Sequence, residues 1–301
     1  MRKLVVISGL LLAVAGCNGQ GAQQQSHIRI ACTTGMVADM VANIGGDRVV
    51  VDQLMGPDVD PHLFKASLED VARLRQADMV FYSGLHLEGK MTEILASLGK
   101  SKPTFAIADF IQSRRVLSDG SKAQDPHLWF DVQLWSQGAT GVGKALAAQD
   151  KANAADYAKR AEEYRDRLEK LHDEVTKQIA TIPRKQRVLV TSHDAFRYFS
   201  RAYDIEVESV QGISTDDEPS VKDINELVDF ICRRGIKAVF VESSVNPRGM
   251  KAVLEGCAAR KHKVAEGGTL YSDAMGRPGT PEGTYEGMVR RNVETIVKAL
   301  R

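Results

Sequence analysis

KANAADYAKRAEEYRDRLEKLHDEVTKQIATIP, residues 151–183, holds no Gly and no Pro before its last position. Tyr157, Ala161, Tyr164, Leu168, Leu171, Val175, Ile179 and Ile182 recur at steps of three and four, the period of one apolar helical face. Pro183 stops the run, because proline lacks the amide donor that a continuing helix needs. At ~1.5 Å per residue the spacing predicts a helix roughly 45 Å long, about the height of a two-lobed protein. A coiled-coil partner is the alternative, but a stripe of roughly four heptads fits packing along two lobes equally well. The stretch reads as a rigid strut, which permits less lobe closure than several flexible crossings.

On either side of the strut, short apolar runs alternate with helical patterns. Residues 28–34 (IRIACTT), 48–55 (RVVVDQLM), 78–84 (DMVFYSG) and 103–108 (PTFAIA) read as buried strands. Helices are expected around 36–44, 68–75 and 90–98. Beyond the strut, strands are expected at 187–192 (RVLVTS), 205–210 (IEVESV), 238–243 (AVFVES) and 263–266, with a last helix near 285–300. Such alternation predicts an α/β protein: two lobes with mainly parallel sheets, joined by one long helix. The expected divisions are a lobe at 28–148, the linking helix at 149–183 and a lobe at 184–301, each burying its own core.

The first residues predict export. Arg2 and Lys3 precede an apolar run at 4–14, then Ala15-Gly16-Cys17. This is the layout of a signal peptide, 1–16, with an apolar run too short to span a bilayer. A cysteine directly after small residues has the form of a bacterial lipobox, with Cys17 lipidated and 17–27 a polar tether. An ordinary secretory signal that happens to contain a cysteine is the alternative. The expected location is extracytoplasmic, anchored to a membrane through Cys17. Without Arg2 and Lys3, 38 basic residues face 39 acidic ones, a net charge of −1. Near-neutral charge gives no support for a nucleic-acid partner. Cys32 reads as a small buried apolar residue, and sequence leaves open whether Cys232 and Cys257 pair.

The chemistry gathers around histidine, the commonest metal ligand. Asp-Pro-His occurs twice, as Asp60-Pro61-His62-Leu63-Phe64 and Asp125-Pro126-His127-Leu128-Trp129. His193 follows the RVLVTS strand and is expected to open a helix, Asp194-Ala-Phe-Arg-Tyr-Phe. Asp273 lies in Tyr-Ser-Asp-Ala-Met-Gly, past the last strand. All four fall beyond carboxyl ends of strands, where α/β folds bind ligands. Bland readings stand beside this one: each Asp-Pro could start a helix, and Asp273 could cap a turn. His86 is the main competitor as a ligand, while His27, His172 and His262 read as surface residues.

Taken together, the motifs Gly84-Leu-His-Leu-Glu88, the two Asp-Pro-His sequences, Val190-Thr-Ser-His-Asp-Ala-Phe196, Val241-Glu-Ser-Ser244 and Ser272-Asp-Ala-Met-Gly276 with Gly283-Thr-Tyr285 are highly specific. The chain resembles the TroA-like zinc- and manganese-binding lipoproteins of bacterial ABC importers, over essentially its whole mature length. The resemblance implies two α/β lobes, a backbone helix and one metal ion in the cleft between them. It implies His62, His127, His193 and Asp273 as ligands and excludes the counterpart of His86. It also implies an ABC permease as partner, with the binding protein a monomer. Some manganese-selective relatives carry glutamate where this chain has His193. Three imidazoles and a carboxylate favour zinc on intrinsic affinity. The long His-rich loop of a zinc-importing branch is absent, since 110–124 is short and lacks histidine.

The rival reading is a zinc hydrolase using the same His/Asp site. Neither His-Glu-x-x-His nor Gly-x-Ser-x-Gly occurs, and Asp194 reads as a helix cap or as the group orienting His193. Ser214-Thr-Asp-Asp-Glu218 reads as a cap for a helix starting near Ser220. A binder of chelated metal or a vitamin would need a cleft poor in ligands.

Overall fold

A computed structural model describes residues 27–112, 115–118 and 124–301. The signal peptide, Cys17 and nearly all of the tether lie outside the described residues, as does part of the loop before His127. No helix among the described residues is long and apolar enough to cross a membrane.

The N-terminal lobe is built on β1 (Ile28–Cys32), β2 (Val49–Gln53), β3 (Met79–Tyr82) and β4 (Thr104–Ala106), in the order β2-β1-β3-β4. All pairs are parallel, with Ile30 opposite both Val51 and Met79. Helices α1 (Gly35–Gly45), α2 (Leu68–Gln76) and α3 (Thr92–Gly99) make the crossovers. The C-terminal lobe holds β5 (Val188–His193) with β6 (Glu206–Gln211), and β7 (Ala238–Glu242) with β8 (Ala265–Leu270), again parallel. These are two two-stranded pieces rather than one continuous ladder. Helices α6 (Arg197–Tyr203), α7 (Val221–Arg234), α8 (Arg248–Ala259) and α9 (Tyr285–Leu300) surround them.

The strut forms as a single 3-10 turn at Lys151–Asn153 followed by α5 (Ala154–Ala180). All eight residues of its expected stripe are buried. One apolar cluster runs from Ile30 and Val41 of the first lobe, along Tyr164 and Leu171 of the strut, to Val293 and Ile296 of the second. The largest apolar cluster is thus shared between the lobes through the strut. Smaller clusters do belong to single lobes, one around Val80 and Leu95 and one around Val190 and Val253.

A helix absent from the sequence reading, α4 (Val132–Gln149), lies along the strut. Its glycines, which normally argue against a helix, sit where neighbours press close. A Cβ at Gly143 would come within 3.1 Å of Ala161 Cβ on α5, and one at Gly138 within 2.8 Å of Ile107.

Candidate metal centre

The chain brings together His62, His127, His193 and Asp273, all buried, with one donor atom from each lying within 4.8 Å of the others. His62 and His127 come from loops of the N-terminal lobe. His193 is the last residue of β5, and Asp273 follows β8. His193 therefore does not open a helix; α6 begins only at Arg197.

Each loop is pinned locally. In both Asp-Pro-His motifs the aspartate turns back on the histidine rather than capping a helix. Asp60 Oδ1 accepts from the His62 amide at 2.9 Å, and Asp125 Oδ1 from the His127 amide at 3.0 Å. Trp129 Nε1 donates to Ser272 O at 3.0 Å, and Tyr285 OH donates to Trp129 O at 2.6 Å. These bonds tie the His127 segment of one lobe to the Asp273 segment of the other. Behind Asp273, the Gly276 amide donates to Glu282 O at 2.8 Å. A Cβ at Gly276 would meet that backbone at 2.9 Å, so the loop closes only with glycine there.

The donor geometry suits a small cation. His127 Nε2 lies 3.4 Å from His62 Nε2 and 3.3 Å from His193 Nε2. Asp273 Oδ2 lies 3.5 Å from His62 Nε2 and 3.2 Å from His193 Nε2, and Oδ1 lies 3.4 Å from His127 Nε2. A tetrahedron with metal–nitrogen bonds of about 2.0–2.1 Å has edges of about 3.3 Å. The Asp273 carboxylate is fully enclosed, and its oxygens face the three imidazole nitrogens with no other hydrogen-bond partner. A buried carboxylate is costly unless a cation meets it.

The histidines are set by carboxylates behind them. His127 Nδ1 faces Asp125 Oδ1 at 2.8 Å, and His193 Nδ1 faces Glu242 Oε2 at 2.5 Å. Nδ1 carries the proton in each pair, which turns Nε2 toward the centre. Burial pushes the His62 imidazole down to about 4, against the pull of Asp273. His193 goes the other way: burial opposes its charge, but Glu242 and then Asp273 hold it well above the ordinary value. Burial also works against the Asp273 charge, yet the His193 and His127 imidazoles keep its carboxyl well below the usual range.

The remaining sequence candidates fall elsewhere. His86 is exposed on a turn outside the cluster. Its motif serves Glu88, whose buried carboxylate accepts from Thr33 Oγ1, Ser83 N and Gly84 N. His172 and His262 are half-buried rather than surface residues; His172 packs on Tyr203, and His262 Nε2 bonds Ile236 O. Asp194 does not orient His193; it pairs with Arg197 at 3.7 Å, and Glu242 does the orienting. Ser220 with Asp223 caps α7, so Ser214-Thr-Asp-Asp-Glu218 is not the cap. That loop instead crosses to the other lobe: Thr215 Oγ1 donates to Asp60 Oδ2 at 2.6 Å, and Lys90 Nζ pairs with Asp216 at 2.8 Å. Sequence reasoning missed Asp125, Glu242 and Thr215 as supporting residues. The aspartate two positions before each Pro-flanked histidine was the available signal for Asp125; Glu242 stood in the motif Val241-Glu-Ser-Ser244 and Thr215 in Ser214-Thr-Asp-Asp-Glu218, but neither stretch marked what its side chain would hold.

Residues 30–299 match the family described as ZnuA, the periplasmic zinc-uptake complex component A. The chain belongs to the ZnuA family. Among relatives, the manganese-binding lipoprotein MntA of Bacillus subtilis is 46% identical over 298 residues, 99% of this chain and 97% of that protein. The zinc-binding protein TroA of Treponema pallidum is 44% identical over 271 residues, 90% of this chain and 88% of that protein. The metal ABC transporter substrate-binding lipoprotein SsaB of Streptococcus sanguinis is 29% identical over 312 residues, covering 100% and 99%. The solved structure of TroA superposes with a TM-score of 0.89 at 44% identity, covering 91% of this chain and 99% of that one. The ZnuA-family fold thus accounts for the strut as well as the lobes.

Proposed function

We propose that this chain is an extracytoplasmic solute-binding lipoprotein that captures one divalent transition metal ion, zinc or manganese, and delivers it to an ABC permease. The observation that carries the proposal is the convergence of three Nε2 atoms on the buried Asp273 carboxylate. His62, His127, His193 and Asp273 bind the ion. Asp125 and Glu242 orient two of the imidazoles and raise their basicity. The nitrogen-rich set gives zinc the higher intrinsic affinity.

In this reading the lobes are residues 28–148 and 184–301, the linker is 149–183, and Cys17 carries the lipid. The protein acts as a monomer without catalysis. The base considered for a hydrolase, Asp194, is engaged by Arg197. Elemental analysis of protein purified without chelator tests the proposal: about one equivalent of metal is expected. Metal-dependent turnover of esters or peptides, lost on replacing the same ligands, would revive the hydrolase.

A further inference from the structure

We propose that Cys232 and Cys257 form a redox-responsive dithiol that closes to a disulfide bracing the C-terminal lobe. Both are free thiols in this structure. Cys232 lies near the C-terminal end of α7 and Cys257 near that of α8, and the two helices pack on each other over a shared core with Val228, Ile231 and Val253. Close approach is built into the seam. Val228 lies one turn before Cys232 on the same face of α7. A Cβ at Gly256, beside Cys257, would come within 2.8 Å of the Val228 side chain, so only glycine lets the helices meet at this spacing. Both thiols belong to the apolar cluster along that seam, Cys257 buried within it and Cys232 packed against it.

Their environments assign the order of events. Cys232 is half-buried and reachable, while Cys257 is fully buried. Cys232 is the thiol an oxidant can reach, while burial, and then the Cys232 thiol, push Cys257 up to about 11. The oxidant is a low-molecular-weight disulfide such as oxidised glutathione. The Cys232 thiolate attacks one sulfur, the external S–S bond breaks, and the first thiol leaves with a proton. Cys257 then loses its proton and attacks Cys232 Sγ, and the second thiol leaves. Two protein thiols are oxidised as one external disulfide is reduced to two thiols. The ring so closed contains β7, whose last residue, Glu242, holds His193. Cys32 takes no part, since it is fully enclosed in the other lobe.

The test is incubation of the folded, full-length protein with oxidised glutathione, followed by tryptic mapping without reductant. The expected product joins peptides 223–233 and 252–260 within one chain, two hydrogens lighter than the separate peptides, and dithiothreitol reverses it. Closure should raise the melting temperature by roughly 5–10 °C. Cys257→Ser should stop at a glutathione adduct on Cys232. Unchanged thiols, adducts on both cysteines, or dimers cross-linked between chains on a non-reducing gel would each overturn the proposal. Because wild-type mapping decides the question, a variant that fails to fold leaves the outcome intact.

Discussion

Glu242 grips His193 at two points: Oε1 accepts its backbone amide at 2.9 Å, and Oε2 lies 2.5 Å from its Nδ1. Asp125 holds His127 in the same double fashion in the other lobe, through a single oxygen. Each lobe therefore brings one pre-oriented imidazole to the interface before any ion arrives. Glu242→Gln keeps the shape but supplies a neutral partner. Metal affinity should fall about 10–100-fold, with circular dichroism unchanged. Affinity equal to wild type in a competition titration would remove Glu242 from the account.

His193 predicts proton release on capture. Glu242 and Asp273 outweigh burial and favour its charged form in the metal-free protein. The ion has to displace that proton, so affinity should rise with pH across the neutral range, with about one proton released. The stability consequence follows the same signs. The raised His193 value stabilises the metal-free fold fully below the ordinary 6.5, and this is lost as pH rises through the folded value. The depressed Asp273 value contributes above the ordinary 3.8 and is lost as pH falls. Calorimetry in two buffers of different ionisation enthalpy measures the proton count; a count of zero contradicts the assignment.

Thr215 and Asp216 bridge to Asp60 and Lys90 of the other lobe, and Asp60 lies two residues before His62. Trp129 and Tyr285 tie the lobes elsewhere through buried bonds, so the polar Thr215 contact is the lighter one to break on release. Thr215→Val removes one hydrogen bond, a loss of about 1 kcal/mol. Release of zinc to a chelator in excess should accelerate about five-fold, with the melting temperature of the metal-free protein nearly unchanged. An unaltered release rate would place the opening elsewhere.

The strut carries one apolar cluster across both lobes. Leu171 is fully buried in the cluster that crosses both lobes. Leu171→Ala should cost about 2–5 kcal/mol, and the metal-free protein should still melt in a single calorimetric transition. Two separated transitions would show that the lobes fold independently.

Periodicity made the strut legible residue by residue, because one side of a long helix must be apolar when the other faces water. Strand positions were legible for a similar reason: β1, β3, β5 and β7 are buried runs between helical patterns. Helix α4 was not, since Gly138, Gly141 and Gly143 weaken its local signal while fitting close contacts with Ile107, Phe110 and Ala161. The candidate site was legible where a motif marks it, as at His62 and His127. Glu242 and Thr215 escaped because they act across distances of 49 and 155 residues, which no local pattern encodes.

Thermal unfolding of metal-free protein, with and without zinc or manganese, tests the metal centre most directly. Wild type and His86→Ala should gain several degrees at one equivalent of metal, while His193→Ala and Asp273→Ala should gain little. No gain in the wild type, or an equal gain in Asp273→Ala, would contradict it.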